Sequence, residues 1–235
     1  MIKLALRPAD SWDDQRAHRF DTLTRLAAGG VRMLDPSAVY VDPTVTVGAG
    51  TLLLPGTILR GNTVIGENCE IGPNTQIVDC TIGDGCHLNS SQLFESVLED
   101  NITAGPFAYV RPNCHVAQGV KIGDFVELKN SVIGAGTKVP HLTYVGDSDV
   151  GAHVNFGCGT VTVNYDGNEK HRCTVGDNAF LGCNTNLVAP VTVGAGAFTA
   201  AGSTITSEVP ADSLAVARAR QIIKPDWAKK RKTRS

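Results

Sequence analysis

VDPTVTVGAGTLLLPGTILRGNTVIGENCEIGPNTQI, residues 41–77, places an aliphatic side chain at every sixth position: Val41, Val47, Leu53, Leu59, Ile65, Ile71 and Ile77. A period of six fits neither an amphipathic helix, which repeats near 3.6, nor a half-buried strand, which alternates. It suits short strands joined by tight turns and stacked into a prism. Glycine follows the aliphatic residue at Val47-Gly48, Ile65-Gly66 and Ile71-Gly72, and later at Ile122-Gly123, Val175-Gly176 and Val193-Gly194, marking turns where a side chain would clash or φ must be positive. The same step recurs through Val110, Val116, Ile122 and Leu128, and through Val175, Leu181, Leu187 and Val193 to Thr199 and Ile205, with slips of one residue between runs.

The cysteines support this phase. Cys69, Cys80, Cys86, Cys114 and Cys173 each stand two residues before an in-phase apolar position, a slot expected to point inward and to need a small apolar residue. Cys158 and Cys183 break the rule. Seven cysteines is an odd number, none forms a Cys-x-x-Cys pair, and the opening MIKLALRPADSWDD lacks the apolar run of a secretory signal, so reduced thiols and a cytoplasmic location are expected.

Composition agrees with a turn-rich solenoid: 6% aromatic residues, 25 glycines and 11 prolines within 42% hydrophobic content. With 21 basic and 23 acidic residues, the formal charge of −2 gives no case for nucleic acid or anionic membrane as partner, which leaves small molecules. No stretch approaches membrane-spanning length. Ser11-Trp12-Asp13-Asp14 reads as a capping box, and Phe20, Leu23, Leu26 and Ala27 share one face, so a short helix should precede the prism. After Pro210 the repeat is lost, and Trp227 leads into Lys229, Lys230, Arg231, Lys232 and Arg234, a basic tail with no fold of its own expected; it could approach phosphates or only solvate the end. The expected division is a helical segment at 1–36, the prism at 37–209 and a tail at 210–235.

The repeat breaks conspicuously once, between Val163 and Val175, where Asn164 to Arg172 forms a polar stretch with a turn signal. Prism coils gain nothing from such an insertion, so a projecting, site-shaping loop is expected. Arg111 and Lys129 are eighteen residues apart and should stack on neighbouring coils, with His141 two hexapeptides further on. Stacked cations repel unless an anion joins them. A phosphate would suit a guanidinium fork beside an ammonium; two solvated surface cations would show the same spacing.

More specific are RPNCHVAQGVKIGDFVELKNS, KVPHLTYVGD, VNFGCGTVTVNYDGNEKH and GCNTNLVAPVTVGAGAFTAAGSTI. They resemble the C-terminal acetyltransferase domain of the bifunctional bacterial glucosamine-1-phosphate N-acetyltransferase/N-acetylglucosamine-1-phosphate uridylyltransferase, over about residues 26 to 232. The resemblance implies an all-β fold, a left-handed parallel β-helix of hexapeptide repeats, assembled as a homotrimer with active sites between prisms. It implies acetyl transfer from acetyl-CoA, without a metal, to the amine of glucosamine 1-phosphate on the way to UDP-N-acetylglucosamine. His141 would be the general base. Arg111, Lys129, Tyr144 and Asn155 would hold the sugar phosphate, with Lys170 reaching a neighbour's substrate from the loop. Cys158, Asn164, Tyr165, Cys183, Ala201 and Arg218 would meet acetyl-CoA.

The chemistry suits these groups, because an amine with a pKa of about 8 is largely protonated at neutral pH and a base must take its proton. His18, His87, His115, His153 and His171 carry no motif and read as structural or surface residues. Cys183 as a nucleophile has no adjoining histidine, and direct transfer needs no acyl-enzyme. Three rivals remain: a related acetyltransferase for another amino sugar or sugar nucleotide, a hexapeptide-repeat carbonic anhydrase, which would need three histidines around zinc, and a purely structural solenoid. Leu26 to Met33 faintly resembles the glycine-rich signature of the family's nucleotidyltransferase. No strand precedes it and Gly-Thr is missing, so uridylyl transfer is expected to be absent.

Overall fold

The computed structural model describes residues 12–232, with side chains from Arg19 to Arg231. Ser11 of the expected capping box and Arg234 of the basic tail lie outside the described residues. Helix α1, Trp12–Ala28, leads into a three-sided parallel β-helix, the left-handed class, and helix α2, Trp227–Lys232, gives the basic tail a turn of order. The three faces are sheets of 11, 10 and 9 short strands in which every named strand pairs in parallel with the strand one coil away. The ladder begins at Arg32–Met33, paired with Leu52–Leu53, and ends at Leu214–Ala215, paired with Phe198–Thr199. It therefore runs one strand beyond 37–209 at each end. Gly29 and Gly30 make the turn from α1 into the first strand.

The six-residue period is the interior of this prism. Leu53, Leu59, Ile71, Ile77, Val110, Val116, Leu128, Leu181, Leu187 and Val193 are all fully buried, one per side per coil. Each such side chain contributes roughly 1.5 to 3 kcal/mol when removed from water. Val47, near the lower end, is only partly buried against this core.

The slot two residues earlier does point inward, and its chemistry is richer than small and apolar. It holds Thr, Ser or Cys in coil after coil, and the hydroxyl ties neighbouring rungs: Thr51 Oγ1 donates to the Gly66 carbonyl at 2.8 Å and accepts from Cys69 N at 2.9 Å. Thr137 repeats the motif with Gly151 O at 2.8 Å and Val154 N at 3.0 Å. Cys69 Sγ does the same more weakly, donating to Gly83 O at 3.2 Å and accepting from Cys86 N at 3.4 Å. These contacts satisfy backbone groups where a turn interrupts the ladder.

The lower end is covered by α1, whose Leu23 and Leu26 join the core. Arg19 Nε donates to Val39 O at 3.0 Å, and its guanidinium lies 4.0 Å from the centre of the Tyr40 ring. This shields strand edges that would otherwise be free to pair.

Candidate active site

One edge of the prism, between the 11-stranded and 10-stranded sheets, collects several of the residues selected from sequence. Asp124 and His141 are register partners, and continuing the pairing of Lys138 with Asn155, Asn155 with Phe180 and Phe180 with Phe198 by three residues adds Cys158, Cys183 and Ala201 to the same column. The corner hydrogen bonds agree: Asn184 N donates to Cys158 O and Gly202 N to Cys183 O, both at 2.8 Å. Arg218 follows on the next rung beside Gly202. Rungs about 4.8 Å apart put His141 about 14 Å below Ala201. Cys183 is exposed and Cys158 half-buried, whereas the other five cysteines are buried.

At the foot of this column His141 Nδ1 lies 2.7 Å from Asp124 Oδ1, and the imidazole holds the Asp124 carboxyl below the usual carboxylate range. The contact requires two coils to approach closely. Gly123 permits it, because a Cβ there would strike the Pro140 carbonyl. A ring nitrogen bonded to a carboxylate is fixed as the N–H side, which leaves Nε2 as the acceptor.

Across the edge, the outer surface of the 10-stranded sheet carries Arg111, Glu127, Lys129 and Tyr144. Arg111 stacks on Lys129 as the eighteen-residue spacing requires, since Val110 pairs with Leu128. The two cations are not bare. Arg111 Nη1 binds Glu127 Oε1 at 2.8 Å, which raises the guanidinium pKa, and Lys129 Nζ binds Asp147 Oδ2 at 3.2 Å. Gly146 is the register partner of Lys129, and a side chain there would collide with the Tyr144 ring and hydroxyl and with the Asn164 amide.

Lys170, expected to reach a neighbour's substrate, lies against Lys129 of its own chain, and that second ammonium, with Arg111 also close, holds Lys170 below its ordinary pKa. Three cations therefore face two carboxylates.

Asp147 closes the cluster from beneath. Its side chain is 6% exposed and accepts from Asn130 Nδ2 at 2.5 Å, from Lys129, and from Asn164 Nδ2, which also donates to Tyr144 Oη at 3.3 Å. Burial disfavours the Asp147 carboxylate, but these donors outweigh it and its pKa lies below the usual range.

The inserted segment does project, as a small hairpin. Tyr165 and Lys170 form an antiparallel bridge. Asp166 Oδ1 accepts from the backbone of Asn168 and Glu169, both at 2.7 Å, and Oδ2 lies 2.8 Å from His171 Nε2; these partners hold the Asp166 carboxyl well below its ordinary pKa. Arg172 anchors the base by gripping both Asp149 oxygens at 2.9 and 2.6 Å and the carbonyls of Asn130 and Ser148 at 3.0 and 3.1 Å.

The candidates thus fall into separate groups within one chain. His141, Cys158, Cys183, Ala201 and Arg218 share an edge. Arg111, Lys129, Tyr144 and Lys170 share the adjoining face, while Asn164 and Tyr165 rise from its far corner rather than joining the cysteine column. Asn155 stands on the 11-stranded sheet between Lys138 and Phe180, around the edge from the cations. Asp124, Glu127, Asn130 and Asp147 escaped the sequence reading, although each lies one coil from a residue it binds. The one-coil spacing that stacks Arg111 on Lys129 also joins Asp124 to His141 and Asp147 to Lys129. Among the described residues, no group of three or more His, Cys, Asp or Glu is placed to hold a metal ion, and no helix is long and apolar enough to cross a membrane.

Residues 44–78 and 172–207 match the family described as bacterial transferase hexapeptide (six repeats), and residues 67–157 match the GlmU-like, C-terminal hexapeptide family. The chain belongs to the GlmU-like hexapeptide transferases. Similar GlmU relatives include the bifunctional protein GlmU of Caldicellulosiruptor saccharolyticus, 52% identical over 203 residues that cover 86% of this chain and 44% of the relative. That of Clostridium perfringens strain SM101 is 54% identical over 203 residues, covering 86% and 45%. The chain spans less than half the length of these GlmU relatives. A solved structure of a histidine-to-asparagine mutant of perosamine N-acetyltransferase from Caulobacter crescentus, in complex with CoA and GDP-perosamine, aligns with a TM-score of 0.44 at 25% identity over 49% of this chain and 52% of that one.

Proposed function

We propose that this chain transfers the acetyl group of acetyl-CoA to the amine of glucosamine 1-phosphate, giving N-acetylglucosamine 1-phosphate and CoA. The observation that carries this reading is the unbalanced charge on the face beside His141: Arg111, Lys129 and Lys170 against Glu127 and Asp147. A phosphate there removes the repulsion between Lys129 and Lys170 and finds a guanidinium and two ammoniums in reach. Membership of the GlmU-like family supports the same acceptor.

The acceptor amine sheds its ammonium proton to solvent and binds neutral. Its lone pair attacks the thioester carbonyl carbon while His141 Nε2, with Asp124 holding the other ring nitrogen, takes one of the two remaining N–H protons; the C–S bond breaks, and His141 passes that proton to the departing thiolate. The edge column from Cys158 to Arg218 supplies the wall along which acetyl-CoA lies, with Cys158 and Ala201 contacting through their backbone. Asn155 faces away from the cations in a single chain, so the site is completed between copies in a homotrimer.

The test is CoA release from acetyl-CoA with glucosamine 1-phosphate, beside glucosamine, glucosamine 6-phosphate and a UDP-linked amino sugar, for the wild type and His141→Ala. Turnover confined to glucosamine 1-phosphate and lost in the variant is expected. Activity on a different amine would replace this acceptor with another amino sugar or sugar nucleotide. Mixing His141→Ala with Asn155→Ala chains should restore activity if the two residues meet across an interface; no recovery would reject the shared site.

A further inference from the structure

Asp147 occupies a corner that turns through positive φ in successive coils, at Asp79, Glu95, Asn113, Asn130 and Asp147, with φ of 52°, 43°, 65°, 47° and 48°. Asparagine and aspartate both tolerate that conformation. The turn itself does not need a charge, since Asn113 and Asn130 make it without one. Asp79, Glu95 and Asn113 are exposed, Asn130 is half-buried, and Asp147 is buried. Burying a carboxylate is strongly unfavourable unless its partners compensate. All three donors that satisfy Asp147 belong to the acceptor site or adjoin it: Lys129, its chain neighbour Asn130, and Asn164, which reaches on to Tyr144.

We infer that Asp147 is a positioning residue for acceptor binding: its buried carboxylate holds the Lys129 ammonium in place for the phosphate and the Asn164 amide against the Tyr144 hydroxyl, without touching substrate. This rests on the acceptor reading above.

Lys129 is surrounded by Arg111 and Glu127 on its own sheet, by Tyr144 one rung on, by Asp147 at the corner and by Lys170 from the hairpin. Asp147→Asn would leave three cations facing Glu127 alone. It would also turn an amide N–H toward either the Lys129 and Asn164 N–H groups or the Asn130 N–H, all donors in the native arrangement. Lys129 would then lose its proton at lower pH and lose its fixed direction, whereas the corner would keep its shape.

The experiment uses the full 235-residue chain and follows lysine titration by NMR, with Lys129→Met to assign the signal. In Asp147→Asn the Lys129 pKa should fall by about one pH unit, a tenfold loss of proton affinity. The KM for glucosamine 1-phosphate should rise about tenfold at neutral pH, more at alkaline pH, with kcat within about twofold. The double variant Asp147→Asn/Lys129→Met should fall short of the product of the two single losses in acceptor KM, keeping only the part that passes through Asn164 and Tyr144. If Asp147→Asn does not fold, Asn130→Gly keeps the positive φ and the carboxylate but removes one donor, and should raise acceptor KM a few-fold. An unchanged Lys129 titration, or losses that multiply in full in the double variant, would overturn the inference. A wild type that does not turn over glucosamine 1-phosphate would sink the acceptor reading instead, while the Lys129 titration still decides the role of Asp147.

Discussion

The prism below Arg111 and the prism above it are built on one interior and differ in what they present to solvent. In the lower coils, register partners such as Tyr40 and Ile58, or Gln76 and Gln92, repeat every 16 to 18 residues, and the outward positions of the 10-stranded sheet are mostly uncharged, with Arg60 and Asp42 a loose pair at 3.7 Å. In the upper coils the repeat stretches once to 25 residues, from Asp149 to Thr174, to admit the hairpin. Polar side chains there pair tightly: His141 with Asp124 at 2.7 Å, Arg111 with Glu127 at 2.8 Å and Arg172 with Asp149 at 2.6 Å. The inward residues therefore specify the scaffold everywhere, and the chemistry is written on outward positions and in one insertion.

That division predicts opposite consequences for the two kinds of position. The largest effect belongs to His141→Ala, which should lower kcat about 10²- to 10⁴-fold with the melting temperature unchanged. A simultaneous fall in stability would show that the edge also supports the scaffold. Leu59→Ala, in the lower core, should do the reverse and cost about 2 to 5 kcal/mol in denaturant unfolding while leaving both KM values alone. A changed acceptor KM in that variant would break the comparison.

Arg111→Met should weaken glucosamine 1-phosphate about 10- to 100-fold in kcat/KM, the range for losing a charge-assisted contact, with the acetyl-CoA KM unaffected. The smallest effect is protonic. Lys170 has a lowered pKa in the free protein, and a bound phosphate should bring it back toward the ordinary value. Binding must then take up a fraction of a proton at any pH between the two values. Acceptor affinity should be greatest below the lowered pKa and decline as pH rises through it. Calorimetry in buffers of different ionisation enthalpy measures this uptake directly; zero uptake across pH 7 to 10 would mean that Lys170 does not meet the phosphate.

Much of this organisation could be read from residue order. The six-residue period located the interior side chains within its three runs, because a stacked prism repeats its environment at fixed sequence intervals; it did not reach Ile82, Leu88, Leu93, Leu98, Ile133, Val139 or Phe156, which lie between the runs and are equally buried. It failed mildly at Val47, where the lower end of the prism leaves the side chain only partly buried. The inward direction of the cysteine slot is legible in its spacing, but its hydrogen-bonded spine is not, since only the positions of Thr51 and Thr137 against carbonyls of the next coil reveal it. The carboxylates Asp124 and Asp147 were legible in principle from their distance to His141 and Lys129. Other features depend on direction rather than spacing: Asn155 on a different face from Lys129, and Asn164 turned down toward Asp147, follow from which way each corner turns.

The column from His141 to Arg218 has a further implication. A solenoid can be lengthened or shortened only by whole coils if its interior is to stay in phase, so the separation between His141 and each point above it is graduated like marks on a ruler. Point substitutions along the edge can alter what is gripped at a given mark but cannot slide the marks. Accommodating a donor with a longer or shorter arm would require gaining or losing a complete turn of the prism, a discrete jump of about 4.8 Å, which makes the reach of this edge one of the properties least accessible to gradual change.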